Sequence, residues 1–271
     1  MKIWKNTATL DGFDLGLNFT TKKYDADIVL MGSKPIKIQE FPNLRGIFRA
    51  GVGKENVPRE EARSRNIVVK FPSQKTIEII YDETANFTCG LIFRMIYNSV
   101  GSLKPWLKNP REQLNLKKLL IIGGGKIGNR VEVLMSPFMK VQVFDILNNN
   151  FYDLKEMIQK ADCISLHIPK NKANIAFIDD EKLSWMKNGS ILINTSRGAI
   201  VDEIALLKEI SDNRISAAFD VFWDEPYLGD LKEFYPDYFF MTPHVASTCI
   251  GFLKGCREDL DNLILKLSNN N

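Results

Sequence analysis

An α/β fold built on parallel sheets is what this sequence predicts, and three observations predict it. Short runs rich in Val, Ile and Leu alternate with charged, helix-like segments along most of the chain. Leu119–Ile122 is apolar without a break, the pattern of a strand buried on both faces of a parallel sheet. Gly123, Gly125 and Gly128 follow it at G-x-G-x-x-G spacing, lead into a helix-like run, and a second strand then ends in Asp145. Together these predict a doubly wound parallel sheet of the Rossmann kind, preceded by a smaller α/β unit.

In order, residues 1–24 carry no clear pattern. Asp25–Met31 predicts the end of a helix and a buried strand, and Gly46–Gly53 a short strand ending in a Gly-rich turn. Pro58–Arg65 is charged and helix-like, with Pro58 near its first turn, and Ile67–Lys70 is a β-branched strand. From Thr84 to about Tyr97, Ala85, Cys89, Ile92, Phe93 and Ile96 recur at helical spacing, while Phe87, Leu91 and Met95 add a second apolar face. A helix apolar nearly all round is buried at a domain junction or a subunit interface. Pro105, Trp106 and Pro110 mark an irregular approach to the glycine stretch. After Asp145 come a strand at Cys163–Ile168 stopped by Pro169, a helix at Glu181–Met186, a strand at Ser190–Asn194 and a helix at Asp202–Ile210. Strands at Ile215–Phe222 and Phe239–Thr242 follow, and an amphipathic helix over Phe252–Leu267 closes the chain.

Composition excludes several functions. The chain is 45% hydrophobic and 25% charged, so neither disorder nor a disulfide scaffold is indicated. A net charge of +3 with dispersed Lys and Arg offers no nucleic-acid or membrane surface. No apolar run approaches a membrane span, and the N-terminus lacks a signal-peptide core. Cys89, Cys163, Cys249 and Cys256 form no C-x-x-C pair, which favours reduced thiols in a cytoplasmic protein over a disulfide or a metal site.

The glycine stretch has a definite chemistry. Gly123 suits the tight turn, Gly125 lets backbone approach a diphosphate, and Gly128 lets helix and strand pack closely. The helix start presents free N–H groups and a positive dipole end to an anion. A carboxylate at Asp145 binds the ribose hydroxyls and repels a 2′-phosphate, which selects NAD over NADP. A glycine triplet alone often marks only a turn; here strand, glycines, helix, second strand and acid all fall in place. The stretch itself offers Gly123, Gly125, Gly128 and Asp145 as cofactor-binding residues, and His167 either touches the cofactor at the end of its strand or is a satisfied strand-end imidazole.

Three further groups follow late strands: Arg197, Glu225 and His244. Ends of parallel strands share one edge, and ligands bind outside the carboxyl ends, so these groups should converge beside the nicotinamide. Reduction of a 2-keto acid needs a bidentate cation for carboxylate and carbonyl, which a guanidinium supplies. It needs a proton donor, the role suited to an imidazolium, and a carboxylate to orient and charge that imidazole. Singly, each has a plainer explanation: a surface Arg, a Glu-Pro turn, a chance placement of one of only two histidines.

The motifs around these residues are specific. They are Arg-Ala-Gly-Val-Gly-Lys-Glu-Asn-Val at 49–57, the glycine stretch at 123–128, Ser-Leu-His-Ile-Pro at 165–169, Asn-Thr-Ser-Arg-Gly-Ala-Ile-Val-Asp-Glu at 194–203, Phe-Asp-Val-Phe-Trp-Asp-Glu-Pro at 219–226 and Thr-Pro-His-Val-Ala-Ser at 242–247. In these the chain resembles the D-isomer-specific 2-hydroxyacid dehydrogenases, most of all the D-3-phosphoglycerate dehydrogenase branch. The resemblance implies catalytic roles for Arg197, Glu225 and His244, a cofactor site that also takes in Lys126, Ile127, His167, Ile168, Pro169 and Thr195, and a nicotinamide amide held by Asp220. It implies a substrate carboxylate bound by the backbone of Gly51, Val52 and Gly53, with Arg49 touching the substrate. It also implies a discontinuous, flavodoxin-like substrate domain, 1–83 with 247–271, beside an NAD-binding domain, 84–246, and homodimers formed through the cofactor domains. Leu30 stands where the family carries an Arg, which weighs against a phosphorylated substrate, and Asn86 replaces a usual Glu. The expected activity is NAD-dependent hydride transfer between nicotinamide and a D-2-hydroxy acid or its 2-keto acid, with 3-phosphoglycerate or a small relative such as glyoxylate or hydroxypyruvate as the candidates, and no metal. An NAD(H)-sensing scaffold with little turnover is the alternative.

Overall fold

The computed structural model describes residues 1–269, and the chain divides into two units: Met1–Glu83 with Ser247–Asn271, and Thr84–Ala246. In the first, β1 (Ile3–Lys5), β2 (Ile28–Met31), β3 (Gly46–Arg49) and β4 (Val68–Lys70) form a parallel sheet in that order, with α1 (Arg59–Ser64) before β4. Phe19 makes an isolated parallel bridge to Ile3 on the outer side of β1. Counting that bridge as a vestigial strand gives the 2-1-3-4-5 order of a flavodoxin-like sheet. So residues 1–24, which show no pattern in sequence, hold one strand of three residues and the trace of another.

The expected helix over Thr84–Tyr97 begins earlier: α2 spans Gln74–Ile96. Its first turns carry a β-branched run, Thr76, Ile77, Ile79 and Ile80, that disguises helical spacing. Leu91, Ile92 and Met95 are buried within the second unit. The irregular approach is a hairpin, β5 (Gly101–Leu103) and β6 (Trp106–Lys108), every residue of both strands exposed.

The second unit is built on β7 (Lys118–Ile122), β8 (Lys140–Phe144), β9 (Cys163–Leu166), β10 (Ile191–Asn194), β11 (Ser216–Phe219) and β12 (Phe239–Met241). All run parallel in the order β12-β11-β10-β9-β7-β8. Helices α3 (Gly128–Met135), α4 (Phe151–Lys160), α5 (Asp180–Trp185) and α6 (Glu203–Ser211) make the crossovers. Side chains of β7 alternate between two cores: Leu120 and Ile122 enter one, Leu119 and Ile121 the other. Burial on both faces is therefore why this strand is apolar without interruption. Asp202, the expected first residue of α6, is its N-cap, with its side chain accepting from Ala205 N.

The chain then returns to the first unit as α7 (Ile250–Ser268). Gly46 makes room for it on β3: a Cβ there would lie 2.7 Å from Leu267 Cδ1. Asp259 accepts from Ser73 N and the Thr76 hydroxyl, pinning α7 to the start of α2.

Candidate active site

The sheet order of the second unit reverses at β7, with β8 on one side and β9 on the other. A doubly wound sheet opens its ligand crevice at such a reversal, outside the carboxyl ends. The glycine stretch leaves the end of β7 at this point. Gly123 has φ +108, and a Cβ on it would lie 2.6 Å from the His167 carbonyl oxygen beyond β9. A Cβ on Gly128 would lie 2.0 Å from Gly123 O, so α3 can start against the turn only with glycine there. Gly125 is different: a Cβ would meet nothing within 4 Å. Its glycine serves no contact inside the protein and fits a backbone surface kept bare for a diphosphate. Lys126 and Ile127 lead into α3 beside it.

Asp145, directly after β8, accepts from Gly124 N at 2.8 Å and from Leu147 N at 3.0 Å. The acid is thereby held against the glycine turn. His167 follows β9; its Nε2 lies 2.8 Å from Ser165 Oγ, and burial pushes its pKa down to about 4. It is a neutral imidazole at pH 7. Ile168 packs on the core beside Gly123, and Pro169 is exposed. Thr195, after β10, shares a 2.8 Å hydroxyl contact with Thr88 of α2.

The strands β10, β11 and β12 deliver Arg197, Glu225 and His244. His244 Nδ1 lies 2.9 Å from each oxygen of Glu225. Burial works against the charge on Glu225, but the His244 contact, Phe222 N–H and the Arg197 guanidinium outweigh it and hold the carboxyl below its ordinary value. Arg197 donates from Nη1 to Ser196 O, and Asn194 Nδ2 donates to Arg197 O, fixing the turn that carries it.

Asp220 takes a role that spacing could not show. It is wholly buried, and Oδ1 accepts from the Thr242 hydroxyl at 2.6 Å and Val245 N at 2.9 Å, while Oδ2 accepts from Ala246 N at 2.9 Å. Burial raises its pKa despite these donors. It therefore anchors both sides of His244, which has φ +54, a conformation uncommon outside glycine. These contacts come in addition to the nicotinamide role that the resemblance implies for Asp220. Thr242, Ser165, Tyr227 and Glu203 are not site candidates in the sequence either, although Thr242, Ser165 and Glu203 lie within the motifs and Tyr227 directly after one.

In the first unit, Gly51 has φ +142, and a Cβ there would lie 2.6 Å from Arg49 Nη1. Arg49 is 7% exposed, and its Nη1 also donates to Ala50 O. Val52 and Gly53 continue that turn. Leu30, where the family's Arg was expected, is fully buried in the apolar core. Among the described residues no cluster of His, Cys, Asp or Glu could hold a metal.

Residues 99–246 match the family described as D-isomer specific 2-hydroxyacid dehydrogenase, NAD binding domain. The chain belongs to that family. It is an NAD-dependent oxidoreductase of the CH–OH class. The chain is 32% identical over 264 residues to the glyoxylate reductase of Thermofilum pendens, covering 88% of this chain and 73% of that protein. It is 31% identical over 226 residues to the D-3-phosphoglycerate dehydrogenase of Methanocaldococcus jannaschii, covering 74% of this chain and 42% of that protein. In fold it matches the D-lactate dehydrogenase of Aquifex aeolicus, solved with NAD and lactic acid, with a TM-score of 0.78 at 22% identity over 100% of this chain and 96% of that one. When bound, NAD supplies hydride exchange at the nicotinamide, and the glycine turn and Asp145 are the groups that would hold it.

Proposed function

We propose that this dehydrogenase interconverts a small, unphosphorylated D-2-hydroxy acid and its 2-keto acid, with glyoxylate and hydroxypyruvate as the leading keto acids. The observation that carries the reading is the Glu225–His244 pair, Nδ1 within 2.9 Å of both carboxylate oxygens. That contact makes Nδ1 a donor and leaves Nε2 to exchange a proton with the substrate oxygen. In reduction, Nε2 gives its proton to the carbonyl oxygen as the carbon is reduced, and in oxidation it takes the hydroxyl proton. Glu225 stabilises the imidazolium, and Arg197 grips the carboxylate and polarises the carbonyl. His167 does not compete for the proton, because burial keeps it neutral.

Leu30 supports an unphosphorylated substrate, since a buried Leu offers a phosphate no charge. The four thiols are all free, in keeping with a cytoplasmic setting. The exposed hairpin carries Leu103, Trp106 and Leu107 at 76%, 74% and 55% exposure, and we assign it to a homodimer contact with a second copy.

The test is NADH oxidation with glyoxylate, hydroxypyruvate, pyruvate and 3-phosphohydroxypyruvate. Turnover of the unphosphorylated acids is expected, and preference for the phosphorylated one overturns the substrate assignment. His244→Gln should lose at least about a thousandfold in kcat with NADH binding intact. Turnover by that variant at the wild-type rate removes His244 from the mechanism. An NAD(H)-sensing scaffold predicts negligible turnover by the wild type as well.

A further inference from the structure

Arg197 and Glu225 ride on different loops, and three contacts fasten one loop to the other. At Gly198 the backbones touch, for a Cβ there would lie 2.1 Å from Phe222 C and 2.4 Å from Trp223 N. Trp223 Nε1 donates to Val201 O at 2.7 Å. Two residues beyond Glu225, the Tyr227 hydroxyl donates to Glu203 Oε1 at 2.8 Å. The Tyr227 ring stacks on Phe222, with centroids 4.9 Å apart and planes at 21°. Phe222 in turn donates its N–H to Glu225 Oε1 at 3.3 Å.

The hydroxyl–carboxylate pair is part-buried, with Gly229 against it. A Cβ on Gly229 would lie 2.3 Å from the Tyr227 oxygen and 2.7 Å from Glu203 Oε1, so only glycine leaves the pair intact. Burial, helped by the Glu203 charge, pushes the phenol pKa well up, so Tyr227 keeps its proton and remains a donor. Its hydroxyl is therefore fully committed to Glu203, and the loop between Phe222 and Tyr227 is closed at both ends around Glu225.

We propose that Tyr227 and Glu203 are positioning residues: their hydrogen bond braces the 222–227 loop so that Glu225 meets His244 squarely and within reach of the Arg197 charge. This rests on the roles given above to Glu225 and His244. Without the brace the loop is fastened only by the Gly198 contact and Trp223, both on its N-terminal side, and Glu225 samples positions in which one or both oxygens leave Nδ1. A carboxylate misplaced by a fraction of an ångström loses much of its hold on an imidazolium.

The test uses the full chain with Tyr227→Phe, Glu203→Gln, Glu203→Ala and His244→Gln. Tyr227→Phe keeps the ring stack and removes only the donor; Glu203→Gln keeps an acceptor. The charged groups facing Glu225 are His244 and Arg197, and the Tyr227 and Glu203 variants alter neither residue. Tyr227→Phe and Glu203→Ala are expected to lower kcat about tenfold, the scale of one hydrogen bond to a charged group, with KM for NADH unchanged. The acid limb of kcat/KM should move to higher pH, because a looser Glu225 regains its ordinary pKa. Glu203→Gln should keep most of the wild-type kcat, and the double variant Tyr227→Phe/Glu203→Ala should be no worse than either single one. An unchanged pH profile and kcat in Tyr227→Phe overturns the brace, as does additive loss in the double variant. Were His244→Gln fully active, the parent reading would fail; an inactive His244→Gln beside an unaffected Tyr227→Phe sinks the brace alone.

Discussion

His167 should make the fold acid-sensitive in a way one substitution can isolate. Its imidazole sits at the end of β9, bonded to Ser165, with its backbone N–H on Ile122 O at 2.7 Å and its carbonyl against Gly123. Burial lowers its pKa from 6.5 to about 4. Between those values the unfolded chain binds a proton that the folded chain refuses, so stability falls as pH drops through the window and is fully present above it. With about 1.4 kcal/mol for each unit, the loss at pH 5 comes to roughly 2 kcal/mol for this half-buried ring. The assay is urea unfolding at pH 7.5 and pH 5, followed by fluorescence of Trp185 and Trp223 in the same unit. Wild type should lose about 2 kcal/mol more than His167→Gln between the two conditions. Other titrating groups cancel in that difference. Parallel pH dependences would refute the account, whatever the baseline cost of the substitution.

Two further outcomes follow from the same geometry. Gly128→Ala should cost most of the NADH affinity, read by nucleotide fluorescence titration, because its Cβ would sit 2.0 Å from Gly123 O and must push α3 away from the turn. Trp106→Glu should break the proposed dimer, read by light scattering, without changing the unfolding midpoint of the chain at low concentration, since that side chain is 74% exposed.

The second unit was largely legible because its strands obey a rule that sequence displays. A strand buried on both faces has no polar side, so Leu119–Ile122 and Ile191–Ile193 stand out as unbroken apolar runs between turns. Parallel topology then forces the carboxyl ends to one edge, which is why Glu225 and His244 can be paired on paper before any distance is known. Other features had no such rule. β1 has only three residues and one strand partner within the sheet, so its alternation is too short to recognise. The hairpin at Gly101–Lys108 was hidden because its strands pack on neither core and so carry no burial pattern. The Tyr227–Glu203 bond joins loops distant in sequence, and nothing local to either residue announces it.

Asp220 shows why the imidazole can be held in an unfavourable backbone state. A non-glycine residue at φ +54 costs on the order of 1 kcal/mol, and a loop would ordinarily relax it away. Here the carboxylate takes two N–H groups from the residues just after His244 and a hydroxyl from the residue two before it. Each bond to a charged acceptor in a dry site outweighs the strain, so the turn has one geometry rather than several. The wholly buried acid that sequence associates with the cofactor is thus also the clamp that aims Nδ1 at Glu225. A nicotinamide amide drawing on the carboxylate's remaining lone pair would reach the His244 turn through the same two oxygens.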